Sequence, residues 1–124
     1  MTKNKVFILE PVRQSLDVSK AEAYGEIIYI FRSESRRCSV WDHQSFSAAV
    51  LSELKILKFN PKTDFICIVG AMLTVTIAVI AITQRYKEFN ALLFNSVSSN
   101  YVHRKFVRKE IEHEIENSTT TVSA

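Results

Sequence analysis

The sequence predicts a small α/β domain of order β-α-β-α-β-β, with a mainly parallel sheet, an antiparallel edge hairpin and a largely apolar central helix. Three features of the chain lead to this expectation. Short apolar runs alternate with helical patterns, as β–α–β units require. The longest apolar stretch, Phe65–Thr83, contains Gly70 and directly follows a turn signal, Asn60-Pro61-Lys62-Thr63-Asp64. Two further runs, Phe89–Phe94 and Tyr101–Arg108, are joined by the turn-forming segment 95–100, NSVSSN.

The central stretch admits two readings. Between Asp64 and Arg85 the chain carries no charge, so this segment must be hidden from water. As one helix, the 19 residues of Phe65–Thr83 would span roughly 28 Å, close to a bilayer core of about 30 Å. One expectation is therefore a single-pass membrane protein with 65–83 as its transmembrane helix. The other splits the run at Gly70 into a buried strand, 65–69, and a helix, 71–86. The preceding turn signal, the polar residues Thr74, Thr76, Thr83 and Gln84, and the apolar run that follows all favour the split. Three lysines before the run and Arg85 and Lys87 after it set no orientation across a membrane.

The remaining elements follow in chain order. Residues 1–18 are read as an N-terminal arm whose run Val6–Leu9, stopped by Pro11, forms an edge strand or a docking arm. Residues 19–109 form the single α/β domain, and 110–124 a charged, then Ser/Thr-rich tail. Ser19 and Glu22 have capping-box spacing for a helical turn that stops at Gly25. Glu26–Phe31 is rich in β-branched and aromatic residues and reads as a strand. The polar loop Arg32–Gln44 holds the only tryptophan, and Asp42, with Ser45 as the other option, is the expected N-cap of a helix running to about Lys58. On that helix Phe46, Val50, Leu54 and Leu57 form one stripe. In Tyr101–Arg108, Val102 and Phe106 share one side of a strand that is otherwise basic.

The helix 71–86 differs from an ordinary surface helix. Met72, Leu73, Val75, Ile77, Val79, Ile80 and Ile82 point in every direction around its axis. A surface helix of a small monomer keeps one polar face. An all-round apolar helix needs a second partner surface, and a second copy of the chain is the natural supplier. Met72, Val75, Val79 and Ile80 are the expected self-association residues, and a homo-oligomer is the expected state.

Composition constrains the chemistry. The formal net charge is +3, with 10 of the 16 basic residues ahead of the apolar run, so no block of charge demands nucleic acid. A nucleic-acid-binding reading nonetheless exists. The carboxyl ends of parallel strands bind ligands, and Arg36 and Arg37 with the helix amides after Gly70 form one anion-binding set. The edge strand with Arg104, Lys105 and Arg108 among Tyr101 and Phe106 forms another. The simpler readings are that Gly70 only turns the chain, and that the basic strand is a charged edge protected against unwanted pairing. His43, His103 and His113 have no ligand spacing, and no Gly-rich phosphate loop or nucleophile elbow occurs. Cys38 follows two arginines, which favour thiolate, but reads as a surface loop residue; Cys67 reads as an inert core thiol. The expectation is no enzyme, no cofactor, no metal and no small-molecule substrate. Two cysteines, with an N-terminal apolar run too short for a signal-peptide core, fit a cytoplasmic setting.

This layout, a compact α/β chain with a short polar tail and an unusual apolar helix, resembles small accessory proteins carried by phages or plasmids. No motif carries the resemblance, so it transfers no site and no activity. The function expected is non-enzymatic binding or assembly, with self-association through helix 71–86.

Overall fold

Five strands form one sheet: β1 (Lys5–Ile8), β2 (Glu26–Tyr29), β3 (Phe65–Ile68), β4 (Glu88–Asn95) and β5 (Asn100–Val107), in the order β2-β1-β3-β4-β5. The structure is a computed structural model that describes residues 4–11, 18–31 and 39–109. Strands β2, β1, β3 and β4 are parallel, and β5 returns antiparallel to β4, from Glu88 opposite Val107 to Asn95 opposite Asn100. Between the strands lie a 3-10 helix (Val18–Ala23), α1 (His43–Ile56) and α2 (Met72–Arg85). The expected order from Glu26 onward, the mainly parallel sheet, the edge hairpin and the apolar helix are all present.

The N-terminal run is not where the sequence places it. Val6–Leu9 was expected at an edge or as a docking arm; β1 instead lies inside the sheet, hydrogen-bonded to β2 on one side and β3 on the other. Val6, Phe7 and Ile8 are fully buried. The physical reason lies in the run itself. It is apolar on both faces, as a parallel strand covered on both sides must be.

Two clusters of side chains sandwich the sheet. Phe46, Val50 and Leu54 of α1 and Ala78 and Ile82 of α2 pack against Phe7, Ile66, Phe89 and Ala91 on one face. On the other, Val6, Ile8, Cys67, Leu92 and Tyr101 pack with Ala21 of the 3-10 helix and with Tyr24. The connection from β1 to β2 runs one way along the sheet, and those from β2 to β3 and β3 to β4 run the other. A single crossover hand then requires the first connection and the two helices on opposite faces, which is how they lie.

Local chemistry sets the element ends. The Asp42 carboxylate accepts the Ser45 N–H at 3.3 Å, confirming the expected cap of α1. Hydrogen bonds from Ser45 hold the Asp42 carboxyl below its ordinary value. Lys5 Nζ donates to the Leu57 carbonyl at 3.3 Å beyond the other end of α1. The uncharged stretch is split as expected, into β3 and the 14-residue α2. The alternative of one membrane-spanning helix over 65–83 is thereby corrected: no helix among the described residues is long and apolar enough to cross a membrane.

Candidate interaction surface

The surface is built on α2, and α2 begins because of Gly70. Gly70 has φ +131°, a conformation that L side chains rarely adopt. It turns the chain out of β3 and lets Ala71 open the helix, whose first bond runs from the Val75 N–H to the Ala71 carbonyl at 2.9 Å. No side chain caps this end. Gly70 stands at the carboxyl end of β3, beside β1, where the direction of the crossovers reverses. Arg36 and Arg37, expected to join it around an anion, lie outside the described residues, as do Cys38 and His113.

The helix packs in one definite rotation. Thr74, Ala78, Ala81 and Ile82 are buried, and Val75 and Ile77 pack against the core beside them. The opposite side carries Met72, Leu73, Thr76, Val79, Ile80, Thr83 and Gln84, and no charged residue. On it Met72 is 85% exposed, Ile80 54% and Leu73 41%. Of the four residues expected at a self-association surface, Met72 and Ile80 face outward and Val79 lies half-buried at the margin. Val75 turns inward, so Leu73 takes its place on the outward face.

The basic strand does not present one patch. Alternation along β5 puts Arg104 on the helix face and His103 and Lys105 on the other. Lys105 Nζ lies 3.7 Å from a Glu88 carboxylate oxygen. The Arg108 Nη1 donates to the Thr83 and Gln84 carbonyls, both at 3.2 Å, at the end of α2. His103 Nε2 is 2.9 Å from the Asn90 Oδ1, and its ring meets Phe65 edge-on. Thus Lys105 lies on the opposite face from Arg104 and Arg108, and Arg108 is committed to structure.

Burial pushes the Cys67 thiol up to about 12, with a small opposing contribution from the Tyr101 hydroxyl, so it is protonated and unreactive at neutral pH. His43 opens α1 and is exposed. Among the described residues, no three His, Cys, Asp or Glu side chains converge as a metal site would need.

A family model described as phage Pam3 gp32-like protein matches residues 4–107. The chain belongs to the phage Pam3 gp32-like protein family. The match takes in every strand and both α-helices, so the sheet and the outward face of α2 both lie within the family region. The resemblance to small phage-borne accessory proteins is upheld at that level, and the chain is a phage-type accessory protein. No curated protein and no solved structure matches this gp32-like chain.

The sequence alone did not bring out the other edge of the sheet. Along β2 runs an open groove of about 590 Å³, lined by residues 27–31 and by Glu53 and Leu57 of α1. It exists because β2 is outermost, and β2 is outermost only because β1 inserts between it and β3. Recognising Val6–Leu9 as a doubly buried strand would have revealed it.

Proposed function

We propose that this gp32-like protein is a cytoplasmic, non-enzymatic assembly module that self-associates through the outward face of α2. The observation that supports this reading is the exposure of Met72, Leu73 and Ile80 on a helix side that carries no charge. Large apolar side chains gathered on one exposed helix face are a mark of an interaction site. A two-fold contact would lay α2 against its own copy, with Met72 and Ile80 two turns apart on the same stripe.

Light scattering coupled to size exclusion, without detergent, tests this directly. The wild-type chain elutes as a discrete dimer or larger species. Ile80→Glu, at an exposed position that leaves the core intact, weakens that association roughly tenfold or more by burying a carboxylate in an apolar contact. A monomeric wild type, or an Ile80→Glu variant that associates as before, would remove the helix from the interface.

A further inference from the structure

We propose a second contact between copies of this chain: the β5 edge of one copy joins the β2 edge of the next and continues the sheet. Among the described residues neither edge pairs with a further strand, and their backbones are compatible; on β5 the Tyr101 carbonyl accepts the Tyr24 hydroxyl at 3.1 Å, while His103 and Lys105 lie beyond that contact. On β2, the Glu26 N–H bonds the Asn4 carbonyl at 2.9 Å and the Ile30 N–H bonds the Ile8 carbonyl at 2.8 Å. Even-numbered residues therefore face β1, and Ile27 and Tyr29 turn their N–H and C=O outward. On β5, the Arg108 N–H bonds the Lys87 carbonyl at 2.9 Å, so even-numbered residues face β4. His103 and Lys105 turn their backbone groups outward.

The faces match as well. Side chains of Ile27 and Tyr29 lie on the sheet face away from the helices, and so do those of His103 and Lys105. Hydrogen-bonded partners in an antiparallel pair must share a face. Since β5 runs antiparallel to β4 and hence to β2, a second copy in the same orientation offers an antiparallel partner with its helices on the same side.

Charge selects this pairing over the alternatives. The β2 edge carries Glu26, and Glu53 of α1 stands in its groove. The β5 edge carries exposed His103, Arg104 and Lys105. Arg104 lies on the helix side, where the groove opens, and no described residue bonds its guanidinium. Pairing β5 with β5 sets cations against cations, and pairing β2 with β2 gathers the carboxylates of both copies around one groove. Only β2 with β5 joins acid to base. The contact is heterologous, so it repeats, closing into a ring or running on as a filament.

The test uses charge reversal on the full chain, read by sedimentation velocity over a range of concentrations. Wild type grows beyond any α2-mediated dimer as concentration rises. Arg104→Glu with Lys105→Glu makes both edges acidic, and Glu26→Lys with Glu53→Lys makes both basic; each of these two variants alone associates at least tenfold more weakly at the edges. An equimolar mixture again pairs acid with base at every junction, and growth returns, less at high salt. Arg104→Glu with Lys105→Gln, which still leaves the edge acidic, replaces the acidic variant should it fail to fold. Repeating the series in an Ile80→Glu background removes the helix contact but keeps the edge contact, so the two readings fail separately. Wild type that does not grow, a single variant that assembles as wild type does, or a mixture that stays apart would overturn the edge contact.

Discussion

The Asp64 carboxylate accepts the backbone N–H of Lys5 at 3.0 Å and, through its other oxygen, the Asn60 N–H at 2.8 Å. Asp64 is buried, just ahead of β3, and Lys5 is the first residue of β1. One carboxylate thus ties the start of the interior strand to the turn that precedes its neighbour. It also explains why this charge sits at the mouth of the apolar stretch. Charge-assisted bonds in a buried site are worth about 1.5–3 kcal/mol each. Asp64→Ala should lower stability by about 3 kcal/mol in urea unfolding, and Asp64→Asn, which keeps one acceptor oxygen, by about half that. A loss below about 0.5 kcal/mol, the range of an ordinary surface change, would mean the bridge does not hold β1.

Gly25 makes a sharper prediction because the usual sign reverses. Replacing glycine with alanine at a compatible position stabilises a protein by about 0.4–1 kcal/mol through the unfolded chain. Here a Cβ would run into the Asn4 carbonyl, which cannot retreat because it accepts the Glu26 N–H at 2.9 Å. Gly25→Ala should therefore destabilise by about 2 kcal/mol, with β2 pushed from β1. Thermal unfolding decides it, since a stabilised variant would show that the two segments do not meet.

What could be read from the chain depended on where the signals were local. The split at Gly70 was legible because a glycine and a proline-containing turn bracket Phe65–Ile68. The cap at Asp42 and the stripe Phe46–Leu54 were legible for the same reason. The place of β1 was not, since Pro11 looks the same after an edge strand and an interior one. For α2, composition established that an apolar side would face outward but not which one. With apolar residues all round, only packing against Phe89 and Ala91 sets the rotation, and that packing turned Val75 inward. The cations Arg104, Lys105 and Arg108 were recognisable as a group, but strand alternation set Lys105 apart and the end of α2 engaged Arg108. The β2 groove depends on strand order, and the one local hint to it was the short run Val6–Leu9, apolar on both faces.

Arg108 is expected to act as a clamp. Its guanidinium donates to the Thr83 and Gln84 carbonyls, which belong to the last turn of α2 and lack partners within the helix. Arg108→Ala should lower stability by about 1–2 kcal/mol, and Arg108→Lys should recover part of this through charge alone. If Arg108→Ala melted at the wild-type temperature but lost retention on a polyanion column, the residue would serve nucleic acid instead.

Cys67 predicts how stability changes with pH. Its thiol titrates ordinarily at 9.0 and is pushed up to about 12 in the folded chain by burial against Val6, Ile8 and Leu92. Below pH 9 the thiol is protonated in both states, and its full contribution to stability is present. Between pH 9 and about 12 the unfolded chain releases a proton that the folded chain keeps, so stability falls as pH rises. The slope from this one group approaches about 1.4 kcal/mol per pH unit at most. Lysines and tyrosines also titrate in this range, so the decisive comparison is with Cys67→Ala. That variant starts lower, because a small cavity replaces the thiol. Its stability should nevertheless fall less steeply between pH 8.5 and 10.5, when urea midpoints are converted to free energies. The same burial should keep Cys67 inert to a thiol reagent at pH 8 in a folded Cys38→Ser variant, with Cys67 reacting only as the chain unfolds. Parallel pH slopes for the two proteins would show that Cys67 reaches water in the folded state, and the packing around Leu92 would then be looser than this sheet requires.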